Sequence, residues 1–260
     1  LLDMNADLSI GKGLAGKVTI VTGATSGIGR ATALLYARVG CHVVAVGRNQ
    51  TQLDSLRSEI ERPDDHLFLT VDLEDSSSAQ EIVDATLERF GTIYILAHIA
   101  ASLRRRSIWE VSEEDWDHQF DVNLKSTFLL NRAVARVMVD QKIAGNIVNF
   151  TTGSWILGPL YGADAYSASK AGIVTFSRGL ARQFGKYGIR VNTISPGQID
   201  TPMQHIDNTE ANVKAVAEAC PLGRIGQPEE IASVTVFVTS DHGSFIHGAT
   251  LNVSGGLLLY

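Results

Sequence analysis

Tyr166 and Lys170 stand four residues apart in Ala165-Tyr166-Ser167-Ala168-Ser169-Lys170, a segment of helical pattern. On a helix, residues i and i+4 project from one face about 6 Å apart. A phenol with a pKa near 10 is a poor base at neutral pH. An ammonium at about 6 Å contributes roughly 3 kcal/mol at an effective dielectric of 20, about two pKa units towards the phenolate. The spacing therefore predicts a tyrosine that can exchange a proton near pH 7, although an ordinary surface helix also carries such pairs.

A second chemistry lies in Thr22-Gly23-Ala24-Thr25-Ser26-Gly27-Ile28-Gly29, directly after the apolar run Val18 to Thr22. Glycines in a strand-to-helix turn permit positive φ and let backbone N–H groups approach a pyrophosphate at the positive end of a helix. The rival match, Gly11 to Gly16 and then Lys17, imitates a phosphate loop. It places Val18 where a metal-binding Ser or Thr belongs, and it precedes a strand instead of following one. The adenosine ribose is read about 20 residues beyond the first glycine, near the end of the second strand, here Val46-Gly47-Arg48. Gly47 offers no carboxylate to a free 2′-hydroxyl, whereas the Arg48 guanidinium suits a 2′-phosphate. NADP(H) is thus favoured over NAD(H), the alternative being that Arg48 is a solvated loop cation.

The elements that must position these residues alternate. Strands are predicted at Val18 to Thr22, His42 to Val46, Leu67 to Asp72, Ile93 to Ala97, Asn146 to Phe150, Arg190 to Ile194 and Thr250 to Val253. Most are short apolar runs of the kind buried on both faces. Between them lie helical patterns: Ile28, Ala31, Leu35 and Val39 form one stripe that stops at Gly40, Ser112 with Asp115 makes a capping box, and Pro228-Glu229-Glu230 opens a late helix. Strict alternation implies an α/β fold, a single doubly wound parallel sheet of Rossmann type with helices on both faces. Residues 1–16 read as a tail or short lead-in, and 17–260 as one domain without internal repeats or a linker.

The 260 residues are 45% apolar and 19% charged, which is enough core-forming material to exclude disorder, collagen and coiled coil. A net charge of −6 gives no overall positive field for nucleic acid or anionic membrane. Two distant cysteines, Cys41 and Cys220, make neither a disulfide framework nor a zinc site and fit a cytoplasmic setting. No apolar run is long enough to span a bilayer, and Asp3 and Asp7 stand where a signal peptide needs a basic start. None of the seven histidines has metal-type spacing with another, so no metal site is expected, and no Gly-x-Ser-x-Gly elbow occurs. Arg104, Arg105 and Arg106 follow the fourth strand at the edge where substrate enters; they suit either a carboxylate- or phosphate-bearing substrate or a solvated loop.

Together the glycine turn and the Tyr166-x-x-x-Lys170 pair resemble the short-chain dehydrogenase/reductase family, and the likeness runs from about Lys17 to Gly256. Matching segments include Val71-Asp72-Leu73, Asp121-Val122-Asn123-Leu124, Ile147-Val148-Asn149, Ser195-Pro196-Gly197 through Thr201, and Pro221-Leu222-Gly223-Arg224. The resemblance implies that Tyr166 passes a proton to or from the substrate oxygen. Lys170 would hold the nicotinamide ribose and lower the tyrosine pKa, and Asn123 would anchor a water that relays protons. It further implies that Gly23, Thr25, Ser26, Gly27, Ile28 and Gly29 cradle the pyrophosphate and that Asp72 and Leu73 border the adenine. Pro196, Gly197, Ile199 and Thr201 would hold the nicotinamide.

Two departures stand out. Where the family shows Asn-Asn-Ala-Gly after the fourth strand, this chain has His98-Ile99-Ala100-Ala101, with His98 and Ala100 at cofactor-side positions. His98 can supply a hydrogen bond in place of the asparagine that braces the sheet there. The family serine falls three residues past Asn149, on Thr152, one residue farther from the tyrosine than usual, so Ser154 is a rival for contact with the substrate. Strand register favours Thr152.

Residues 202–220 match the variable substrate lid. The apolar end, Leu257 to Tyr260, suits a neighbouring subunit, as in the family's homotetramers or dimers. The expected activity is NADP(H)-dependent interconversion of a secondary alcohol and a ketone on a small-molecule substrate, similar to the 3-oxoacyl-thioester reductases. The alternatives are an NAD-dependent sugar, polyol or hydroxysteroid dehydrogenase and, from another class, a catalytically silent nucleotide sensor.

Overall fold

The computed structural model describes residues 9–159, 162–206 and 209–259; Asp3, Asp7 and Tyr260 lie outside the described residues. Seven parallel strands form one sheet in the order β3-β2-β1-β4-β5-β6-β7. They are β1 Val18–Thr22, β2 His42–Gly47, β3 Leu67–Thr70, β4 Ile95–His98, β5 Asn146–Phe150, β6 Arg190–Pro196 and β7 Thr250–Val253. Three of the predicted strands coincide with these spans. The others shift at their ends by one or two residues, where the apolar run outlasts or falls short of the backbone ladder.

Side chains alternate across the sheet with the period of two that a strand imposes. Ile20, Val44, Leu96, Ile147 and Val191 point to one core layer, which helices α3 Ser78–Phe90, α5 Ser126–Asp140 and α7 Asp164–Phe184 cover. Val21, Val43, Ala45, Ile95 and Ala97 point to the other, under α1 Gly27–Arg38, α2 Gln50–Glu59 and the late helix Pro228–Thr239. Because both faces are covered, the strands read as continuous apolar runs. Among the described residues no helix is long and apolar enough to cross a membrane.

Helix α1 departs from the expected stripe. Ile28, Ala31, Leu35 and Val39 are only partly buried, and the deepest face is Gly29, Thr32, Ala33, Tyr36 and Ala37. Gly29 lies against the Gly23 turn, and with small residues at 33 and 37 α1 lies close against the late helix, where the Tyr36 hydroxyl meets Thr239 Oγ1 at 2.9 Å. Close backbone approach, which a count of large apolar residues misses, sets the face. Gly40 ends the helix at φ +88°, as predicted.

The lead-in packs against the fold from Ser9 onward: Leu14 is buried in the α1 layer and the Asp241 amide donates to the Lys12 carbonyl at 3.0 Å. At the opposite end of the chain Leu258 is buried in its own subunit, while Leu259 is exposed.

Sheet order reverses direction between β1 and β4. Ligands of open α/β sheets bind at the carboxyl ends of strands beside such a switch point, and everything expected to do chemistry lies on that edge.

Candidate active site

Tyr166 and Lys170 lie in the first two turns of α7 and face a cleft of about 510 Å³ along the carboxyl edge of the sheet. Lys170 Nζ is 5.8 Å from the centre of the Tyr166 ring, close to the separation the helical spacing predicts. Lys170 is buried, and its ammonium donates to the Phe150 carbonyl at 3.0 Å. The Thr151 hydroxyl donates to the Lys170 carbonyl at 2.9 Å, so the end of β5 grips the lysine at both its main chain and its side-chain tip.

The electrostatic balance differs from the sequence expectation. Burial pushes the Tyr166 phenol up to about 12, opposed by the nearby Arg105 guanidinium, and desolvation pushes Lys170 down to about 7. The charge that opposes the rise of the phenol is that of Arg105 and not, as the spacing predicts, that of Lys170; burial penalises the charged form of both groups and outweighs it. Tyr166 is therefore a protonated phenol across the neutral range.

Asn123 sits in a π-helical turn, Asp121–Lys125, inserted between α4 Glu113–Phe120 and α5. Its amide accepts from the Ser102 N–H at 2.8 Å and donates to the Ser102 carbonyl at 3.0 Å and to Ser169 Oγ at 3.1 Å. Ser169 in turn donates to the Tyr166 carbonyl at 2.7 Å. The amide assigned above to a relay water thus clamps the loop after β4 to the helix of the reacting pair. Sequence spacing carries no signal for the π-turn, nor for Ser102 as the partner.

His98 does not line the cleft, although it was grouped above with the cofactor contacts; it is buried behind the end of β4. Thr22 Oγ1 accepts from the Ile99 and Ala100 amides at 3.1 Å, so its own proton goes to His98 Nδ1, 3.0 Å away. Nε2 then carries the ring proton and donates to Ser126 Oγ at 3.2 Å, and Ser126 donates to the Val122 carbonyl at 2.5 Å. Every donor in that chain needs a neutral imidazole. Burial first, and the Lys170 charge second, push the ring down to about 3. His98 is thus the brace across the switch point that the departure from the family pattern left to be found.

The end of β5 is fixed by a reciprocal amide pair: Asn131 and Asn149 donate to each other at 3.0 and 2.8 Å, and Asn149 also donates to Ser177 Oγ at 2.9 Å. This register carries Thr152 to the cleft wall beside Tyr166. Ser154, first residue of α6 Ser154–Leu157, is not on that wall; its hydroxyl donates to Thr152 Oγ1 at 3.5 Å and pairs with Ser167 Oγ at 2.8 Å. Gly153 between them lies against Leu258, whose side chain would have to shift to admit a Cβ, since that atom would lie 1.9 Å from Leu258 Cδ1.

The remaining predicted contacts line one trough. The turn from Gly23 to Gly29 forms its floor, Arg48 with Asp72 and Leu73 one end, and Ala100, Pro196, Gly197, Ile199 and Thr201 the approach to Tyr166. The turn suits a pyrophosphate for steric reasons: Gly23 and Gly27 have φ of +69° and +49°, and a Cβ on Gly29 would lie 2.0 Å from the Gly23 carbonyl oxygen. Helix α1 starts at Ser26 with no side-chain cap, leaving its first N–H groups facing the trough. At the adenosine end Gly47 presents no carboxylate, a Cβ there would lie 2.4 Å from Thr25 Cγ2 and require Thr25 to turn aside, and Arg48 is exposed beside it. Arg48, Arg105 and Lys170 line the trough against one carboxylate, Asp72, although the whole chain is net negative. These residues fit a dinucleotide. Among the described residues no three His, Cys, Asp or Glu side chains gather as a metal set.

Comparison with known proteins agrees. The family profile described as Enoyl-(Acyl carrier protein) reductase matches residues 23–258. A 3-oxoacyl-(acyl-carrier-protein) reductase of Thermotoga maritima is 37% identical over 247 residues, covering 95% of this chain and 99% of that protein. D-threitol dehydrogenase of Mycolicibacterium smegmatis is 38% identical over 244 residues, covering 94% and 93%. The crystal structure of a short chain dehydrogenase from Bacillus anthracis superimposes with a TM-score of 0.87 at 32% identity, covering 94% of this chain and 97% of that one. The sheet order, the glycine turn and the matched span agree that this chain belongs to the short-chain dehydrogenase/reductase family of oxidoreductases.

Proposed function

We propose that the chain interconverts a secondary alcohol and a ketone with NADP(H), Tyr166 exchanging the proton at the substrate oxygen. One observation carries this reading: a phenol and an ammonium set on one helix face, 5.8 Å from ring centre to Nζ, line the glycine-floored trough. A bound nicotinamide dinucleotide would supply or accept the hydride. Gly23, Gly27 and Gly29 with the open N-terminus of α1 would hold its pyrophosphate, Arg48 its 2′-phosphate, and Lys170 its ribose hydroxyls.

A protonated phenol is the form that carbonyl reduction requires. An alkoxide has a conjugate acid near the pKa of water, about 16. A phenol raised to about 12 gives up its proton to that oxygen downhill and holds it until the charge develops. Thr152 would hydrogen-bond the same oxygen, and Asn123 keeps Tyr166 and the Ser102 loop in register with it. The second reading, an NAD-dependent polyol dehydrogenase, draws on the D-threitol dehydrogenase relative.

Two buried, unpaired cysteines suit a reducing cytoplasm, and exposed Leu259 and Phe245 suit a homo-oligomer, which sedimentation would measure. The deciding experiment follows NADPH and NADH consumption across a panel of ketones with wild type and Tyr166→Phe. Wild type should prefer NADPH, and the variant should lose activity about 1,000-fold while binding NADPH within about threefold. Undiminished turnover in the variant would remove Tyr166 from the chemistry; strong preference for NADH would select the polyol reading.

A further inference from the structure

Three consecutive arginines follow β4, and the fold treats them differently. Arg104 Nη1 pairs with Asp115 Oδ1 at 3.1 Å, and Arg106 Nε lies 3.9 Å from the other oxygen of the same carboxylate. Arg104 holds the Asp115 carboxyl below the usual carboxylate range, so both flanking cations face a fixed negative charge. Arg105 lines the trough instead. Among the described residues its guanidinium has no ion pair, hydrogen bond or aromatic partner.

Its direction is set by the main chain. The Arg104 N–H donates to Gln119 Oε1 at 3.0 Å, and the Arg106 N–H donates to the Gly162 carbonyl at 2.9 Å. Gly162 has φ +56°, and a Cβ there would lie 2.8 Å from the Arg106 carbonyl oxygen, so the two loops touch backbone to backbone. With position 104 turned to Asp115 and position 106 pinned to Gly162, the residue between them is presented to the cleft. Arg105 is near enough to Tyr166 to bias its phenol towards the phenolate. A partly buried guanidinium with five free donors is a receptor for a planar or tetrahedral anion. Asp72, the one carboxylate on the trough, lies on the segment that follows β3, beside Leu73 and away from Tyr166 in the sheet order.

We propose that Arg105 is a specificity residue that receives an anionic group, carboxylate or phosphate, carried by the substrate close to the carbon that exchanges hydride. The proposal rests on the alcohol–ketone reading of this cleft and names its substrate class.

The test compares matched pairs with NADPH: 3-oxobutanoate against its methyl ester, and dihydroxyacetone phosphate against dihydroxyacetone. In at least one pair kcat/KM for the anion should exceed that for the neutral partner about tenfold or more, and the pair that responds tells carboxylate from phosphate. Arg105→Gln should reduce that ratio about tenfold, mainly through KM, Arg105→Lys should restore part of it, and Arg106→Gln should move it less than about twofold. A second arm needs no turnover: calorimetric binding of butanoate and butyramide, with NADPH present. Wild type should bind the anion more tightly, and Arg105→Gln should level the two. Anion binding that depends on Arg105 without turnover of any carbonyl would sink the redox reading and leave the anion site standing. Equal handling of anion and neutral partner by wild type in both arms, unchanged in Arg105→Gln, overturns the proposal.

Discussion

The two walls of the cleft are built by different means. The wall under the expected dinucleotide is mostly backbone: Gly29 lies against the Gly23 carbonyl and Gly23 against the Ala100 main chain, while Gly27 faces the Thr201 side chain. The wall around Tyr166 is made of side chains satisfied at long range, Thr22 with His98, Ser102 with Asn123, and Phe150 with Lys170. A backbone wall tolerates no added atom, because its neighbours cannot rotate away. A side-chain wall tolerates substitution wherever the donor and acceptor pattern is kept, and His98 in the family's asparagine position is such an exchange.

The largest expected effect tests the backbone wall. Gly29→Ala places a Cβ 2.0 Å from the Gly23 carbonyl oxygen, so the turn must open. NADPH affinity should fall about 1,000-fold, roughly 4 kcal/mol, as read by fluorescence titration. Gly179→Ala is the contrast: that glycine lies inside α7 with open space around it, and alanine there should raise stability by about 0.5–1 kcal/mol through helix propensity. Wild-type NADPH binding by Gly29→Ala would refute a backbone-built wall.

The same division decides what the sequence disclosed. Strand spans, sheet class, the glycine turn and the Tyr166–Lys170 spacing are local patterns, and they were legible. Opaque features depend on contacts between distant residues. The π-turn at Asn123, its bond to Ser102 and the closeness of α1 to the late helix leave no mark in periodicity. The choice between Thr152 and Ser154 was half legible: counting along β5 pointed to Thr152, and only the Asn131–Asn149 pair and the Ser154–Ser167 bond explain why Thr152 lines the cleft while Ser154, 3.5 Å behind it, does not. The direction of the pKa shifts was illegible for a similar reason, since sequence supplies the partner charge and withholds the burial.

Lys170 exposes the tension inside the side-chain wall. Its folded pKa is lowered by desolvation to about 7 from 10.5, so between these values the unfolded chain binds more protons. Stability should therefore rise with pH from about 7 to 10.5 and be lowest, on this account, below pH 7. Lys170→Met removes the buried charge and that slope, at the loss of the hydrogen bond to Phe150. Thermal unfolding at pH 7 should show a net gain of roughly 3 kcal/mol, while turnover falls about 100-fold. A destabilised variant would mean that the ammonium contributes to the fold instead of opposing it.

His98 tests whether the exchange of brace is neutral. Its folded pKa is lowered to about 3 from 6.5, so below pH 6.5 the unfolded chain takes up a proton that the folded chain refuses. Stability should decline as pH falls from 6.5 towards 3, by about 2 kcal/mol at pH 5. Asparagine reproduces the pattern, its carbonyl accepting from Thr22 and its amide donating to Ser126, with no proton to gain. His98→Asn should match wild type near pH 7.5 and exceed it at pH 5, with a residual slope from His66, which burial also lowers. Identical acid profiles would show that His98 carries none of the dependence.

Arg48 gives the smallest effect and the sharpest contrast, because it is an exposed side chain standing on the backbone wall. Gly47 offers no competing carboxylate, so preference between the two dinucleotides falls to a solvent-screened cation reading a phosphate. Arg48→Ser should lower the NADPH-to-NADH ratio of kcat/KM about tenfold, roughly 1.4 kcal/mol, and leave NADH turnover within about twofold. The wild-type preference should also weaken as salt rises from 50 to 300 mM, since about 10 Å of screening at 0.1 M reaches an exposed pair. A ratio unmoved by both the substitution and salt would mean that the backbone around Gly47 chooses the nucleotide, making that wall responsible for specificity as well as for binding.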